Sequence, residues 1–162
     1  MSGEKSFEEL VELAVGRGLR LLGFRGRTEL ETRNRLIQRG FAEDVVDSAV
    51  ARLMEMGYLN DAEFCVNFTD DRRRLDSWGN GRIRRRLRDL GAPAHLVDAA
   101  LESDHAAGEL QRAIELLDRR LDGPADAAKE RQKAMGLLIR RGYSSEVASN
   151  AIRAHSRAAH SN

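Results

Sequence analysis

The chain has 162 residues, 27 basic and 26 acidic side chains for a formal net charge of +1, and one cysteine. Cys65 alone excludes an intramolecular disulfide, and the lack of a signal peptide or an apolar run of roughly 18 residues leads us to expect a cytoplasmic protein rather than a secreted or membrane-spanning one. Aromatics at 5%, charged residues at 33% and only two prolines favour surface-exposed helices.

In chain order, Leu10, Leu13, Ala14, Leu21 and Leu22 predict a first helix from about Phe7 to Leu22, despite Gly16 and Gly18. Thr28 followed by Glu31 forms a capping box that opens a second helix, which Gly40 ends in a left-handed turn. Phe41, Val45, Val46, Val50 and Leu53 mark the third helix, which Gly57 stops. Asn60 or Asp61 caps the fourth, which turns Phe64, Phe68 and Leu75 toward a core. Gly79-Asn80-Gly81 introduces the fifth. There Ile83, Leu87 and Leu90 form an apolar stripe, with Arg85 and Arg88 nearly opposite and Arg82 and Arg84 on the flanks. After Gly91, Pro93 suits the first turn of a sixth helix carrying Leu96, Val97, Ala100 and Leu101. Leu110, Ile114 and Leu117 mark the seventh, Gly123-Pro124 a turn, and Met135, Leu138 and Ile139 the eighth. Val147, Ala151 and Ile152 mark the ninth, with a fraying tail expected after Arg157.

Gly40, Gly91 and Gly142 stand 51 residues apart, and the apolar positions after them match: Val45/Leu96/Val147, Ala49/Ala100/Ala151 and Val50/Leu101/Ile152. The reading is an all-α protein of three tandem three-helix repeats, at 7–58, 59–103 and 104–158. Stacked small units of this kind present an extended binding surface rather than one catalytic pocket.

Charge is unevenly distributed. Residues 72–88 hold eight arginines against Asp76 alone, a local +7 that leaves the rest of the chain at −6. Either this is a solvated helix face or it meets a polyanion. Arg72, Arg73, Arg74, Arg82, Arg84, Arg85 and Arg88 are the contact candidates, since guanidinium forks hold phosphates and carboxylates equally well. Trp78 beside them either packs on the adjoining helix or stacks on a base or an arginine.

Enzyme chemistry finds no support. His95, His105, His155 and His160 lack ligand spacing and are expected on the surface, so no metal or cofactor site is assigned. Cys65 reads as a small buried apolar residue without a base to activate it. Asp70, Asp71, Glu43, Asp44 and Asp47 lie on helical surfaces with no convergent histidine or glycine-rich loop. Tyr58 and Tyr143 are expected to pack at unit edges with their hydroxyls in water.

Thr28-x-x-Glu31, Leu36-x-x-Arg39-Gly40-Phe41, Gly57-Tyr58-Leu59-Asn60-Asp61-x-x-Phe64, Gly81-Arg82-Ile83-x-x-x-Leu87 and Arg141-Gly142-Tyr143, in this order, resemble the RecX family of recombination regulators over roughly residues 10 to 155. Thr32 stands where that family usually carries leucine. The resemblance implies an elongated, curved helical array that binds in the groove of a RecA–DNA filament. It also implies restraint of strand exchange, ATP hydrolysis and co-protease activity, with a protein partner, a possible DNA phosphate contact, no membrane, no cofactor and a monomeric state. The alternatives are a helix-turn-helix DNA-binding protein using the 79–90 helix, or a helical adaptor for another protein. Against the former, that helix turns arginine almost alone outward, and beyond Asn80 at its very start it has no Asn or Gln to read adenine.

Overall fold

The computed structural model describes residues 3–103 and 106–161, and within them nine helices and no strand. They run α1 (Phe7–Phe24), α2 (Glu29–Gln38), α3 (Glu43–Glu55), α4 (Asp61–Asp76), α5 (Asn80–Asp89), α6 (Ala94–Glu102), α7 (Ala106–Arg120), α8 (Ala128–Arg140) and α9 (Ser145–His160). Local chemistry sets most of the boundaries. Ser6 with Glu9 and Thr28 with Glu31 both close reciprocal capping boxes. Asn60 caps α4 by accepting from the Glu63 N–H at 3.1 Å, which frees the Asp61 carboxylate to take the Glu29 N–H at the start of α2.

The 51-residue repeat is visible in the backbone. Gly40, Gly91 and Gly142 have φ of 92°, 85° and 96°, a region that only glycine enters without strain. Past each one the chain turns back on itself. The N–H of Phe41, Ala92 and Tyr143 donates to the carbonyl of Leu36, Leu87 and Leu138 respectively, and all three leucines are fully buried.

The chain forms two compact units: Met1–Cys65 with Leu87–Leu96, and Val66–Arg86 with Val97–Asn162. In the first, Val11 and Ala14 of α1 pack with Leu36 and with Val45, Val46, Ala49, Val50 and Leu53 of α3. Gly18 lets α3 approach: a Cβ there would sit 2.5 Å from Leu53 Cδ1. In the second, Ala113, Leu116 and Leu117 of α7 pack with Ala134 and Leu138 of α8 and Ala148, Ala151 and Ile152 of α9. Each fully buried large apolar side chain contributes roughly 1.5–3 kcal/mol.

One seam occurs in both units, shifted by 51 residues. In the first, the Thr28 hydroxyl donates to the Leu90 carbonyl, and Leu30 fills the space beside Gly91. In the second, the Gly79 N–H donates to the Arg141 carbonyl and the Gly81 N–H to the Gly142 carbonyl. The ion pair Arg33–Asp47 of the first unit likewise returns as Arg84–Asp98 in the second. Thr32 is buried and satisfies its hydroxyl by donating to the Thr28 carbonyl at 3.0 Å.

Several expectations are corrected. Leu75 does not turn toward a core but faces solvent, because α4 buries Cys65 and Thr69 instead; Leu13 and Ile139 are exposed too, beside the buried Val11, Ala14 and Leu138. The segment after Arg157 does not fray: α9 continues to His160, whose ring lies 3.0 Å from Asp126. His155 is buried rather than on the surface, with Nδ1 2.6 Å from Asp118 Oδ1 and Nε2 3.2 Å from the Gly123 carbonyl. His105 lies outside the described residues. The Tyr143 hydroxyl is not in water but donates to the Ser77 carbonyl at 2.7 Å, inside the second unit.

Candidate functional site

The basic segment spans the end of α4, a tight turn and all but the last residue of α5. Ser77 makes that turn at φ 53°, the only positive φ of a non-glycine among the described residues. Neighbours within the second unit hold it there. Arg119 Nη2 donates to the Ser77 hydroxyl at 2.6 Å, Tyr143 to its carbonyl, and Arg141 to the Asp76 carbonyl. On α5, Ile83 and Leu87 are fully buried, which rotates Arg85, Arg86 and Arg88 into solvent.

The eight arginines of the segment divide by what they touch. Arg73 reaches the Leu101 carbonyl at 3.0 Å and Asn80 Oδ1 at 3.1 Å, binding α4 to the end of α6 and the start of α5. Arg72 pairs with Asp76 at 2.6 Å and lies against the rings of Phe68 and Trp78. Arg82 stacks over Trp78, its guanidinium carbon 4.2 Å from the ring centroid, and donates to the Arg140 carbonyl. Arg84 is engaged with Asp98. Arg74 is exposed and only loosely paired with Asp71, at 3.4 Å. Arg85, Arg86 and Arg88 are exposed and make no side-chain hydrogen bond or ion pair within the described residues.

Trp78 is therefore a half-buried platform held between Arg72 and Arg82, with Phe68 edge-on at 6.2 Å. Both arginines are committed to this packing. Arg86 is as available as Arg85, although it lies off the face opposite the Ile83/Leu87 stripe. Arg73 and Arg74 also line a cleft of about 580 Å³ in the second unit, together with Arg112 and Arg119 and with Asp70 and Glu115, a mixed-charge surface.

Two buried groups hold their protons well above the usual range. Burial pushes the Cys65 thiol up to about 11, and Asp61 adds to the effect, which suppresses the thiolate at neutral pH. Burial raises Tyr143 to about 12, against the opposing pull of Arg112. Among the described residues no three His, Cys, Asp or Glu side chains cluster in a way that could hold a metal, and no helix is long and apolar enough to cross a membrane.

The chain is similar to known proteins over most of its length. Family models for the first, second and third three-helix domains of RecX match residues 14–53, 60–101 and 107–152. The regulatory protein RecX of Deinococcus radiodurans is 35% identical over 149 residues, covering 92% of this chain and 71% of the relative. That of Trichlorobacter lovleyi is 38% identical over 133 residues, covering 80% of this chain and 86% of the relative. Among solved structures, RecX from Lactobacillus salivarius superposes with a TM-score of 0.81 at 16% identity, over 93% of this chain and 99% of that one. A second RecX structure gives 0.75 at 24% identity over 91% and 79%. With all three helical domains matched in order, and relatives above 30% identity across most of both sequences, the chain belongs to the RecX family.

Proposed function

We propose that this protein is a negative modulator of the RecA recombinase that binds along the RecA–DNA filament and works by occupancy rather than catalysis. Family membership supports the regulatory reading. The observation that carries the mode of binding is the repetition itself: the same turn geometry recurs at Gly40, Gly91 and Gly142, and the same seam and ion pair recur one repeat apart. A partner that is itself periodic presents equivalent sites to equivalent units, here 7–58, 59–103 and 104–158, and several weak contacts on one chain combine into tight binding. A bridged filament resists both strand exchange and the subunit motions of ATP turnover, and it closes the surface on which co-protease activity depends.

Within this reading Arg85 and Arg88, with Arg86 beside them, carry the partner contact, because the fold leaves them without internal partners. Arg74 contributes at the edge, whereas Arg72, Arg73, Arg82, Arg84 and Trp78 hold the surface in shape. The protein acts as a monomer in the cytoplasm and needs no cofactor. The test is the rate of ATP hydrolysis by RecA on single-stranded DNA, titrated with this protein. Bridging predicts inhibition well below one molecule per recombinase subunit. An unchanged rate with the protein in excess would contradict the regulatory reading and favour an adaptor role.

A further inference from the structure

The first unit carries a second basic surface that the 72–88 segment does not explain. Residues 17–39 hold seven arginines and two glutamates, a local +5. Arg25 is engaged by Glu31, Arg33 by Asp47, and Arg27 Nε by the Leu21 carbonyl at the end of α1. Arg17, Arg20 and Arg39 are exposed and have no hydrogen-bonding or ionic side-chain partner among the described residues. These three converge with Leu21 and Phe24 on a cleft of about 250 Å³. Phe24, at the end of α1, is 86% exposed, the most exposed large apolar side chain described. An adjoining hollow, sharing Arg17 and Arg20, continues along α1 past Gly16 to Leu13 and Glu12. Gly16 has no neighbour within 4 Å where its Cβ would stand, so packing does not require the glycine there. From Leu13 to Phe24 the helix advances about 16 Å, at 1.5 Å per residue.

We propose that this groove on α1 is a binding site for single-stranded nucleic acid, in which Phe24 stacks on a base and Arg17, Arg20 and Arg39 hold the flanking phosphates. The chemistry favours this occupant. An aromatic face held in water among unpaired guanidinium groups matches the alternation of apolar base and anionic phosphate along a single strand. A duplex keeps its base faces stacked inside and offers nothing to Phe24. The groove is open, and each hollow is at or below the size of a self-contained small-molecule pocket, as suits a chain that passes through rather than a ligand that is enclosed. Glu12, its one lining carboxylate, lies at the far end from Phe24.

The experiment is a fluorescence anisotropy titration of a labelled single-stranded oligothymidine with the full chain, at several salt concentrations and without recombinase. Phe24→Ala is expected to weaken binding about tenfold at every salt concentration, leaving the salt slope unchanged, because stacking is not ionic. Arg17→Ala/Arg20→Ala/Arg39→Ala is expected to weaken binding and to flatten the slope of log K against log salt by about 2, at about 0.7 for each phosphate no longer neutralised. Phe24→Trp is expected to retain affinity and to lose emission when the oligonucleotide binds. All of these positions are solvent-facing, so circular dichroism should be unchanged. The proposal is overturned if the parent does not bind the oligonucleotide, if Phe24→Ala binds like the parent, or if Phe24→Ala weakens only association with a RecA filament, which would make the groove a protein dock. Failure in this assay leaves inhibition of ATP hydrolysis standing, so the two readings are separable.

Discussion

Tyr143 shows how a single side chain can join distant parts of a repeat protein. It follows the third glycine turn, and its hydroxyl reaches the carbonyl of Ser77, a residue held at positive φ at the cost of about 1 kcal/mol or more. Its folded-state pKa is raised to about 12 from the usual 10, with burial as the leading cause. The native state therefore keeps its proton over a range in which the unfolded chain loses it. The sign follows: the contribution to stability is complete below about pH 10 and is lost as pH rises toward 12. At about 1.4 kcal/mol per pH unit, the loss across these two units is at most on the order of 3 kcal/mol. Tyr143→Phe should cost about 1 kcal/mol at pH 9, because the Ser77 carbonyl loses its donor, and should show a flatter decline above pH 10. Urea unfolding of both proteins at pH 9 and pH 11.5 measures this, and equal pH dependence would refute the buried-hydroxyl account. The sequence placed Tyr143 at a unit edge but could not bury its hydroxyl, because Ser77 is 66 residues away. His155 escaped in the same way: Asp118 is 37 residues distant and nothing local marks the pairing.

At the scale of the element, what was legible was what short-range chemistry decides. Thr28 with Glu31, and the left-handed glycines 40, 57, 91 and 142, fixed helix ends that the structure reproduces. The choice of buried face was harder. On α1 Leu13 belongs to the apolar pattern that marks the helix, yet the inward stripe runs through Val11, Ala14 and Gly18, where absence of a side chain is the packing feature. Two glycines two residues apart consequently behave in opposite ways. Gly18→Ala places a methyl against Leu53 and should destabilise the protein by about 1–3 kcal/mol. Gly16→Ala meets open space and should stabilise it by up to about 1 kcal/mol through helix propensity. Thermal unfolding of the two variants checks this, and a destabilised Gly16→Ala would contradict the assigned face. The candidate site shows a similar division. The stripe of Ile83 and Leu87 put Arg85 and Arg88 outside, as the structure has them, but no periodicity could reveal that Arg73 is tied to Leu101 or that Arg84 repeats the strut made by Arg33.

For the whole molecule, the net charge of +1 conceals two arginine-rich stretches, residues 17–39 and 72–88, which leave the remainder at −11. The fold uses many of these arginines as struts and in aromatic stacking, and what it leaves unpaired defines the surfaces available to partners. On α5 these are Arg85, Arg86 and Arg88. The central claim, that this RecX family member regulates RecA by holding its filament through those side chains, is tested most directly by co-sedimentation of Arg85→Glu/Arg88→Glu with RecA filaments on single-stranded DNA. The Ile83/Leu87 stripe is untouched, so the helical circular dichroism spectrum should be retained, with each exposed substitution changing stability by less than about 0.5 kcal/mol. Reversing two charges removes attraction and adds repulsion, so filament affinity should fall at least about tenfold, roughly 1.4 kcal/mol, and most steeply at low salt. A folded double variant that sediments with the filament as the parent does would contradict the account.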